Sequence, residues 1–258
     1  EMYTLDGKVS LKPVSEIPCY REISKASIEA IDRVMEWAKS ENRNKILIDT
    51  NLKLGIPMEN VNKVAGPFIE AWAYEIFIDY LEAHNDQHIT KADPGSRLNL
   101  ADIIMHISNV DQSVSNTEVQ IDVKATSYDI KGSGKSPNIT SFGRIRSEYL
   151  RQDDLIFVIL SIKHRVYSTR NEETKMMMGV MEIMDYKAYD LKYLEDTDIS
   201  YNPALGTGQL QIRDIHNVGY KERTSEEICE LLDKKCIASK KGYSQWYEYA
   251  QQYGWLNE

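Results

Sequence analysis

The feature that most constrains the fold is the apolar run over residues 155–162. A run this short cannot cross a bilayer, which takes about 20 residues. It is typical of a central strand covered on both faces, because such a strand has no need to alternate apolar and polar side chains. We therefore expect a sheet with other elements packed against both of its faces.

Helical spacing occurs on both sides of that run, at 27–39 and 66–83 before it and at 244–253 after it. Further strands are predicted at 45–49, 100–107, 118–125, 176–184 and 210–215, and further helices at 140–150 and 224–234. Helices and strands that mix along the whole chain predict an α/β fold, with a mixed central sheet flanked by helices. No repeat or Pro/Gly/Ser-rich linker divides the 258 residues, so we expect one domain over 1–258.

The composition excludes several classes of protein. A net charge of −9 argues against a protein that coats nucleic acid without regard to sequence, since phosphate contacts need Lys and Arg. The three cysteines form neither a disulfide framework nor a CxxC zinc pair, and we expect buried thiols in a reducing compartment. With no signal peptide and no spanning segment, we expect a cytoplasmic protein that does not contact a membrane. Positive charge is concentrated between residues 131 and 170, at Lys131, Lys135, Arg144, Arg146, Arg151, Lys163, Arg165 and Arg170.

The segment 118–125 alternates apolar and polar side chains as a strand does. Its period of two places Asp122 and Lys124 on one face, with Val119, Ile121 and Val123 on the other. The segment 100–107 precedes it across the polar turn 109–116, and the pair is typical of a hairpin. Pairing of the two strands would bring Asp102 beside Asp122 and Lys124.

Asp102, Asp122 and Lys124 form the candidate catalytic centre. Two carboxylates at the edge of a sheet make an oxygen-ligand site of the kind that Mg²⁺ prefers. A neighbouring lysine can orient a water molecule and stabilise charge that develops on a phosphate. The alternative interpretation is a solvated strand with alternating charges, in which the three residues have no chemical role.

Glu70 is a further candidate. At helical spacing it shares a face with Ala73 and Phe77, where a carboxylate is costly unless it has a partner. It either supports the metal site from its helix or is a salt-bridged, partly exposed helix residue.

These residues resemble the motif of the PD-(D/E)xK nuclease family. Ala101-Asp102 matches the first element, with Ala101 where the nominal motif has proline, and Asp122-Val123-Lys124 matches the second. Longer segments are similar to the HpaI-like type II restriction endonucleases of that family, and the HincII-like and EcoRV-like members are more distant. The segments are 66–72, 122–127, 133–142, 160–164 and 198–209.

The resemblance implies a homodimeric, Mg²⁺-dependent type II restriction endonuclease that cuts double-stranded DNA. Its site would be the palindrome GTTAAC, cut to blunt ends, and a cognate DNA methyltransferase would protect host DNA. Asp102 and Asp122, with the carbonyl of Val123, would hold one or two Mg²⁺ ions, and Lys124 would position the attacking water. We expect the N-terminal portion, 1–50, to be largely helical and to contribute dimer contacts.

Two loops are candidates for contact with DNA. The loop 133–138 directly follows the catalytic strand, so Lys135 could contact phosphate and Asn138 an adenine or the backbone. The loop 202–209 has glycines that allow close approach, and side chains suited to base edges. A flexible connector and an ordinary Gly-rich turn are the alternative interpretations. The candidate DNA-binding residues are Lys135, Ser136, Asn138, Thr140, Arg144, Asn202, Gly206, Thr207, Gly208 and Gln209.

The residues leave two other functions open. A less specific nuclease of the same fold, of the repair or resolvase type, would cut long DNA without discrete bands. A DNA-binding module with a vestigial site would retain DNA at its site but would not cut it when Mg²⁺ is added.

Overall fold

The structure, a computed structural model, describes residues 3–5, 9–96, 99–132, 134–203, 206–240 and 242–257. In chain order its elements are β1 (Tyr3–Leu5), β2 (Val9–Leu11), α1 (Tyr20–Ser40), β3 (Lys45–Ile48), α2 (Met58–Lys63), α3 (Ala65–Ala83), β4 (Ile89–Pro94), β5 (Ile103–Ile107), β6 (Thr117–Ser127), β7 (Asn138–Ser141), α4 (Phe142–Arg151), β8 (Ile156–Arg170), β9 (Met177–Asp190), a 3-10 turn (Leu191–Tyr193), β10 (Ile199–Asn202), β11 (Gln209–Ile212), α5 (Ser225–Ile237) and α6 (Gly242–Gln252).

Six strands form the central sheet, in the order β3-β9-β8-β6-β5-β4. β6 and β8 are parallel, and every other neighbouring pair is antiparallel. β8 lies inside the sheet, and residues 156–162 are all buried, as the apolar run predicts. The predicted hairpin of β5 with β6 is confirmed, with Ile103 paired to Ile121.

The two faces of this sheet pack against different layers. On one face, Val123 and Leu160 pack with α1 and α3 through side chains such as Ile31 and Ile76. On the other face, Phe157 and Ile159 belong to a second core with α4, α5 and α6. Burial of an aliphatic side chain stabilises a fold by about 1.5–3 kcal/mol, so both layers hold the sheet in place.

A second antiparallel sheet has the order β10-β11-β7. β11 pairs with β7 so that Gln209 lies opposite Ser141 and Leu210 opposite Thr140. The helix predicted at 140–150 was therefore wrong at its start, because the backbone of 138–141 pairs with β11 and the helix begins only at Phe142. The loop predicted over 202–209 was also wrong at its start, since Asn202 belongs to β10.

Two further boundaries differ from prediction. Helix α1 begins at Tyr20 rather than residue 27, because Ser24 and Ser27 are buried and make hydrogen bonds inside the protein. Strand β5 begins at Ile103, so Asp102 lies in the bend that precedes it. The helix predicted from residue 224 is confirmed as α5, which begins with a capping box formed by Thr224 and Glu227. Among the described residues, none of the helices combines the length and apolar character that crossing a membrane requires.

Candidate active site

Backbone hydrogen bonds hold Asp102 against the end of β6. The Asp102 amide donates to the Ile121 carbonyl at 2.9 Å, which continues the β5–β6 ladder by one residue. The Asp102 side chain then turns inward, and its Oδ2 accepts a hydrogen bond from the Val123 amide at 2.7 Å. Asp102 is therefore fixed one strand away from the Asp122-Val123-Lys124 segment.

Asp122 is buried, although it lies on the polar face of its strand. Its side chain is 6% exposed, and Lys124 Nζ donates to Asp122 Oδ1 at 3.1 Å. The other oxygen, Oδ2, is buried and lies 3.1 Å from the same Nζ in an ion pair, but no described residue donates a well-aligned hydrogen bond to it. Burial raises the pKa of Asp122 to about 7; the Lys124 ammonium opposes the rise, and the charges of Asp102 and Glu70 add to it.

Glu70 on α3 faces the same group of charges. Burial raises the pKa of its carboxyl, the charge of Asp102 raises it further, and Lys124 lowers it. Glu70 also lines a cavity of about 220 Å³ with Val123 and Lys124. The structure thus brings together the four residues that the sequence selects, Asp102, Asp122, Lys124 and Glu70.

The cavity contains two residues that sequence reasoning did not place at the site. These are His164 on β8 and Asn62 on α2, and His164 Nε2 lies 3.1 Å from Asn62 Oδ1. The parallel register of β6 and β8 places His164 opposite Ser127, at the end of β6. Only this strand register could have predicted the position of His164, because His164 and Ser127 are far apart in sequence.

The donor set agrees with a Mg²⁺ ion rather than with a tightly caged metal. Among the described residues, no three His, Cys, Asp or Glu side chains are close enough to hold a metal ion by themselves. Mg²⁺ is commonly held by one or two carboxylates, with waters and substrate phosphate as its other ligands. The buried Asp122 Oδ2 is an oxygen of the required type, and among the described residues its charged contact is the Lys124 ammonium.

The residues selected for DNA contact lie on the three-stranded sheet and its loops, except Arg144, which lies on α4. Asn138 Oδ1 on β7 accepts a hydrogen bond from Gln211 Nε2 on β11 at 2.7 Å, and this bond joins the strands that follow the two loops. In the loop 202–209, Gln209 Nε2 donates to Thr207 Oγ1 at 3.2 Å, and Thr207 is exposed. Ser133, Ala204 and Leu205, which belong to the two loops and the segments that carry the resemblance, lie outside the described residues.

The remaining selected residues differ in exposure. Thr140, Arg144 and Asn202 are partly buried, and Gly206 is exposed. Gly208 is buried with a φ of +62°, and a Cβ there would lie 2.1 Å from the Tyr201 hydroxyl, so its glycine has a structural reason. Lys135 Nζ lies 3.4 Å from Asp214 Oδ2, and Ser136 Oγ donates to the Arg213 carbonyl.

Comparison with known families identifies the class of protein. A family model described as type II restriction endonuclease HpaI matches residues 7–254, so the chain belongs to that family of site-specific deoxyribonucleases. The type II restriction enzyme HpaI from Haemophilus parainfluenzae is 48% identical over 228 residues, which cover 87% of this chain and 88% of that enzyme. The predicted enzyme class and the predicted resemblance are therefore confirmed.

Among solved structures, the NlaIV restriction endonuclease is similar with a TM-score of 0.44 at 12% identity, over 88% of this chain and 91% of that chain. The predicted α/β class is confirmed directly by the strand order, with helices on both faces of a six-stranded mixed sheet.

Proposed function

We propose that the chain cuts both strands of DNA at the palindrome GTTAAC, leaves blunt ends and requires Mg²⁺. The proposal for the site rests on the 48% identity to HpaI and on the segments that resemble HpaI-like enzymes. A homodimer suits a palindrome, because two copies of one chain related by a two-fold axis read its two halves alike. A cognate DNA methyltransferase in the same cytoplasm would protect host DNA.

One observation carries the assignment of the catalytic residues. Asp122 is buried with an oxygen that lacks a hydrogen bond from the described residues, while Asp102 and Lys124 are fixed beside it. The single ammonium of Lys124 compensates this buried carboxylate only in part, and incomplete compensation favours a cation that is not part of the chain. Asp102, Asp122 and the Val123 carbonyl are the groups that would hold Mg²⁺.

The chain's own residues then have distinct roles. A bound Mg²⁺ would supply Lewis acidity toward the scissile phosphate. Lys124 positions the attacking water, which displaces the 3′ oxygen in line and leaves a 5′ phosphate. Its ammonium also stabilises negative charge that develops on the phosphate. Glu70 is placed to support the metal site or its water from α3.

The three-stranded sheet and its loops are the proposed DNA-contact surface. Lys135 and Arg144 supply positive charge for phosphates, and Ser136, Thr140 and Thr207 supply hydroxyls. The amide side chains Asn138, Asn202 and Gln209 are suited to base edges, and Gly206 and Gly208 shape the second loop. These contacts would orient each half of the palindrome with respect to Asp122.

For the dimer we propose contacts from the N-terminal portion, 1–50, and from the segment directly after it. Leu47 on the edge strand β3 is 59% exposed, and Leu52 and Leu54 beyond it are 50% and 94% exposed. Exposed apolar side chains that recur in one segment are typical of an interaction surface. Sedimentation of Leu54→Glu beside the unchanged protein tests this, and an unchanged dimer would remove Leu54 from the interface.

The recognition site is tested by digestion of phage-length DNA with purified protein and Mg²⁺, and then by sequencing of the cut ends. We expect discrete fragments whose ends divide GTTAAC at its centre. Ends with a different sequence would refute the proposed site alone, whereas smeared products would indicate a less specific nuclease. Retention of DNA without cutting would indicate a binding module.

The catalytic assignment is tested with Asp102→Ala and a matched control, Asp153→Ala, which changes an exposed aspartate before β8. We expect loss of cleavage in Asp102→Ala with specific DNA binding preserved, and full activity in the control. A fully active Asp102→Ala enzyme would remove Asp102 from the mechanism.

A further inference from the structure

The turn after β11 is joined to the central sheet by His216. His216 Nδ1 lies 3.0 Å from Ser161 Oγ on β8, and Nε2 lies 2.8 Å from Asp185 Oδ2 on β9. A carboxylate only accepts hydrogen bonds, so Nε2 donates to Asp185; in the neutral imidazole Nδ1 then accepts from the Ser161 hydroxyl. The imidazole and Ser161 are buried, which shields their hydrogen bond from water, whereas the Asp185 side chain is 61% exposed.

Two of the three sheet attachments of this turn, at Ser161 and Tyr189, lie in the rows of the proposed catalytic residues. The β6–β8 register pairs Lys124 with Ser161, and side chains paired across neighbouring strands point to the same face. Tyr189 on β9 lies opposite Ile159, which is paired with Asp122, and the Tyr189 hydroxyl donates to the Ile215 carbonyl. The turn is therefore tied to the sheet in the row of Lys124 and in the row of Asp122, and a third time at Asp185, which lies opposite Lys163.

The same turn holds the loop after β6. The Ile215 amide donates to the Lys135 carbonyl at 2.9 Å, and Ser136 Oγ donates to the Arg213 carbonyl. Lys135 Nζ and Asp214 Oδ2 add an ion pair at 3.4 Å. A continuous set of hydrogen bonds thus runs from this loop, through residues 213–216, to the strands that carry the reactive groups.

Ser161, His216 and Asp185 have the residue types of a hydrolytic triad, but they do not act as one. Ser161 is fully buried, so no substrate reaches its hydroxyl. The imidazole instead joins two strands and a turn through both ring nitrogens. We call this link of His216 with Ser161 and Asp185 the bracket.

We propose that His216 is a positioning residue that sets the DNA-contacting loop at Lys135 and Ser136 in register with the catalytic strands. It acts through the loop and not on the scissile phosphate. The inference rests on the proposed function, because it takes Asp122 and Lys124 as the reacting end and Lys135 as the DNA-contacting end. Loss of the bracket leaves both ends intact but changes their relative placement.

The test is single-turnover cleavage of a GTTAAC duplex together with binding of the same duplex in Ca²⁺ without cleavage. We expect His216→Ala to lower the cleavage rate of the bound complex by about 10- to 100-fold. A displacement of about 1 Å between the DNA-contacting loop and the reacting groups would be enough for a loss of this size. Binding should weaken less than the rate falls, since the phosphate-contacting side chains remain. His216→Gln, which keeps one donor and one acceptor, should recover most of the lost rate.

His106→Ala is the matched control. His106 Nε2 also bonds an aspartate, Asp93 Oδ2 at 3.0 Å, in the same central sheet, but through β4 and β5. We expect its cleavage rate to stay within about threefold of the unchanged protein. Ser161→Ala, a smaller change that removes one side of the bracket, should lower the rate in the same direction, and it replaces His216→Ala if that variant does not fold.

The double variant Lys135→Ala/His216→Ala should cut no more slowly than the slower of the two single variants, because the residues act through one path. An active unchanged protein with an unimpaired His216→Ala variant overturns the inference alone, as do equal losses in His216→Ala and His106→Ala. Multiplied losses in the double variant overturn it too. An unchanged protein that makes no cut overturns the proposed function and this inference with it.

Discussion

Two buried carboxylates show how this fold separates stability from chemistry. Asp233 on α5 meets Arg146 on α4, with Arg146 Nε 3.2 and 3.3 Å from its two oxygens and Nη2 3.3 Å from Oδ2. The two side chains are 0% and 1% exposed, and the guanidinium also lies over the Trp255 ring. Asp122 in the middle of β6 is also buried, but no described residue donates a well-aligned hydrogen bond to its Oδ2, whose charged contact is the Lys124 ammonium at 3.1 Å.

Asp233 and Asp122 differ in how far partners inside the protein compensate the buried negative charge. Removing a carboxylate from water costs several kcal/mol, and partners inside the protein must offset that cost. At Asp233 the partner is the Arg146 guanidinium, which donates hydrogen bonds to both carboxylate oxygens, so the pair holds α4 to α5. At Asp122 the offset is incomplete, which fits a residue whose remaining partner arrives with the substrate.

Asp122→Asn should give the largest effect. The amide is a weak metal ligand, and we expect cleavage to fall by about 10³-fold or more, since metal assistance contributes several kcal/mol to the transition state. The free energy of unfolding should not fall, because the variant buries no charge. Single-turnover cleavage and urea unfolding measure the two quantities, and a large loss of stability would mean that Asp122 is a structural residue like Asp233.

Arg146→Ala should show the reverse. It leaves Asp233 buried without its cation, and we expect a loss of about 3–5 kcal/mol in the free energy of unfolding. The folded fraction should retain its cleavage rate. Arg146→Met/Asp233→Leu should recover most of the stability, because apolar replacement removes both charges together. A loss below about 1 kcal/mol in Arg146→Ala would contradict the comparison.

The pH dependence of stability should next report the protonation of Asp122. The folded pKa of Asp122 is about 7, above the unfolded value of about 3.9, so between these pH values the native state holds a proton that the unfolded chain has lost. Stability from this group is therefore complete below about pH 4 and falls as pH rises to about 7, by at most about 1.4 kcal/mol per pH unit.

Urea unfolding in EDTA at several pH values measures this slope, and the difference between the unchanged protein and Asp122→Asn isolates it. A difference that does not change with pH would show that Asp122 is already ionised in the folded protein. Titration with Mg²⁺ below pH 7 should release protons, because metal binding requires the carboxylate.

The smallest effect is expected at a third buried carboxylate, Asp190. It accepts from the Tyr20 hydroxyl at 2.9 Å, the Ser24 hydroxyl at 2.7 Å and the Lys192 amide at 2.9 Å. Ser24→Ala removes one partner, and we expect a cost of about 1–2 kcal/mol in unfolding free energy with no change in cleavage. Ser40→Ala, on the exposed end of the same helix, is the control; equal costs would mean that the effect belongs to the helix and not to Asp190.

Local patterns predicted much of this fold and part of its candidate site. The apolar run over 155–162 predicted an interior strand, and the alternation over 118–125 predicted that Asp122 and Lys124 share a face. It did not predict that both faces of β6 are buried, since alternation is typical of a half-exposed strand. The polar face is covered by the second core, which forms from segments later in the chain.

Long-range pairing was beyond those patterns. Residues 140 and 141 continue the helical spacing of residues 142–150, yet they form part of β7 because β11 offers them backbone partners. The hydrogen bond of Gln211 to Asn138 joins positions 73 residues apart. The hydrogen bonds of His216 to β8 and β9 depend on the same docking of segments, so no local pattern marked His216.

By itself the sequence determined the interior strand, the shared face of Asp122 and Lys124, and membership of the HpaI family, because periodicity and motif are properties of neighbouring residues. Only the tertiary structure decided that Asp102 accepts from the Val123 amide, that two separate loops form one sheet, and that one oxygen of Asp122 is buried without a hydrogen bond from the described residues. Each of these depends on which distant backbone and side-chain groups satisfy one another once water is excluded, and that is settled only when the layers pack.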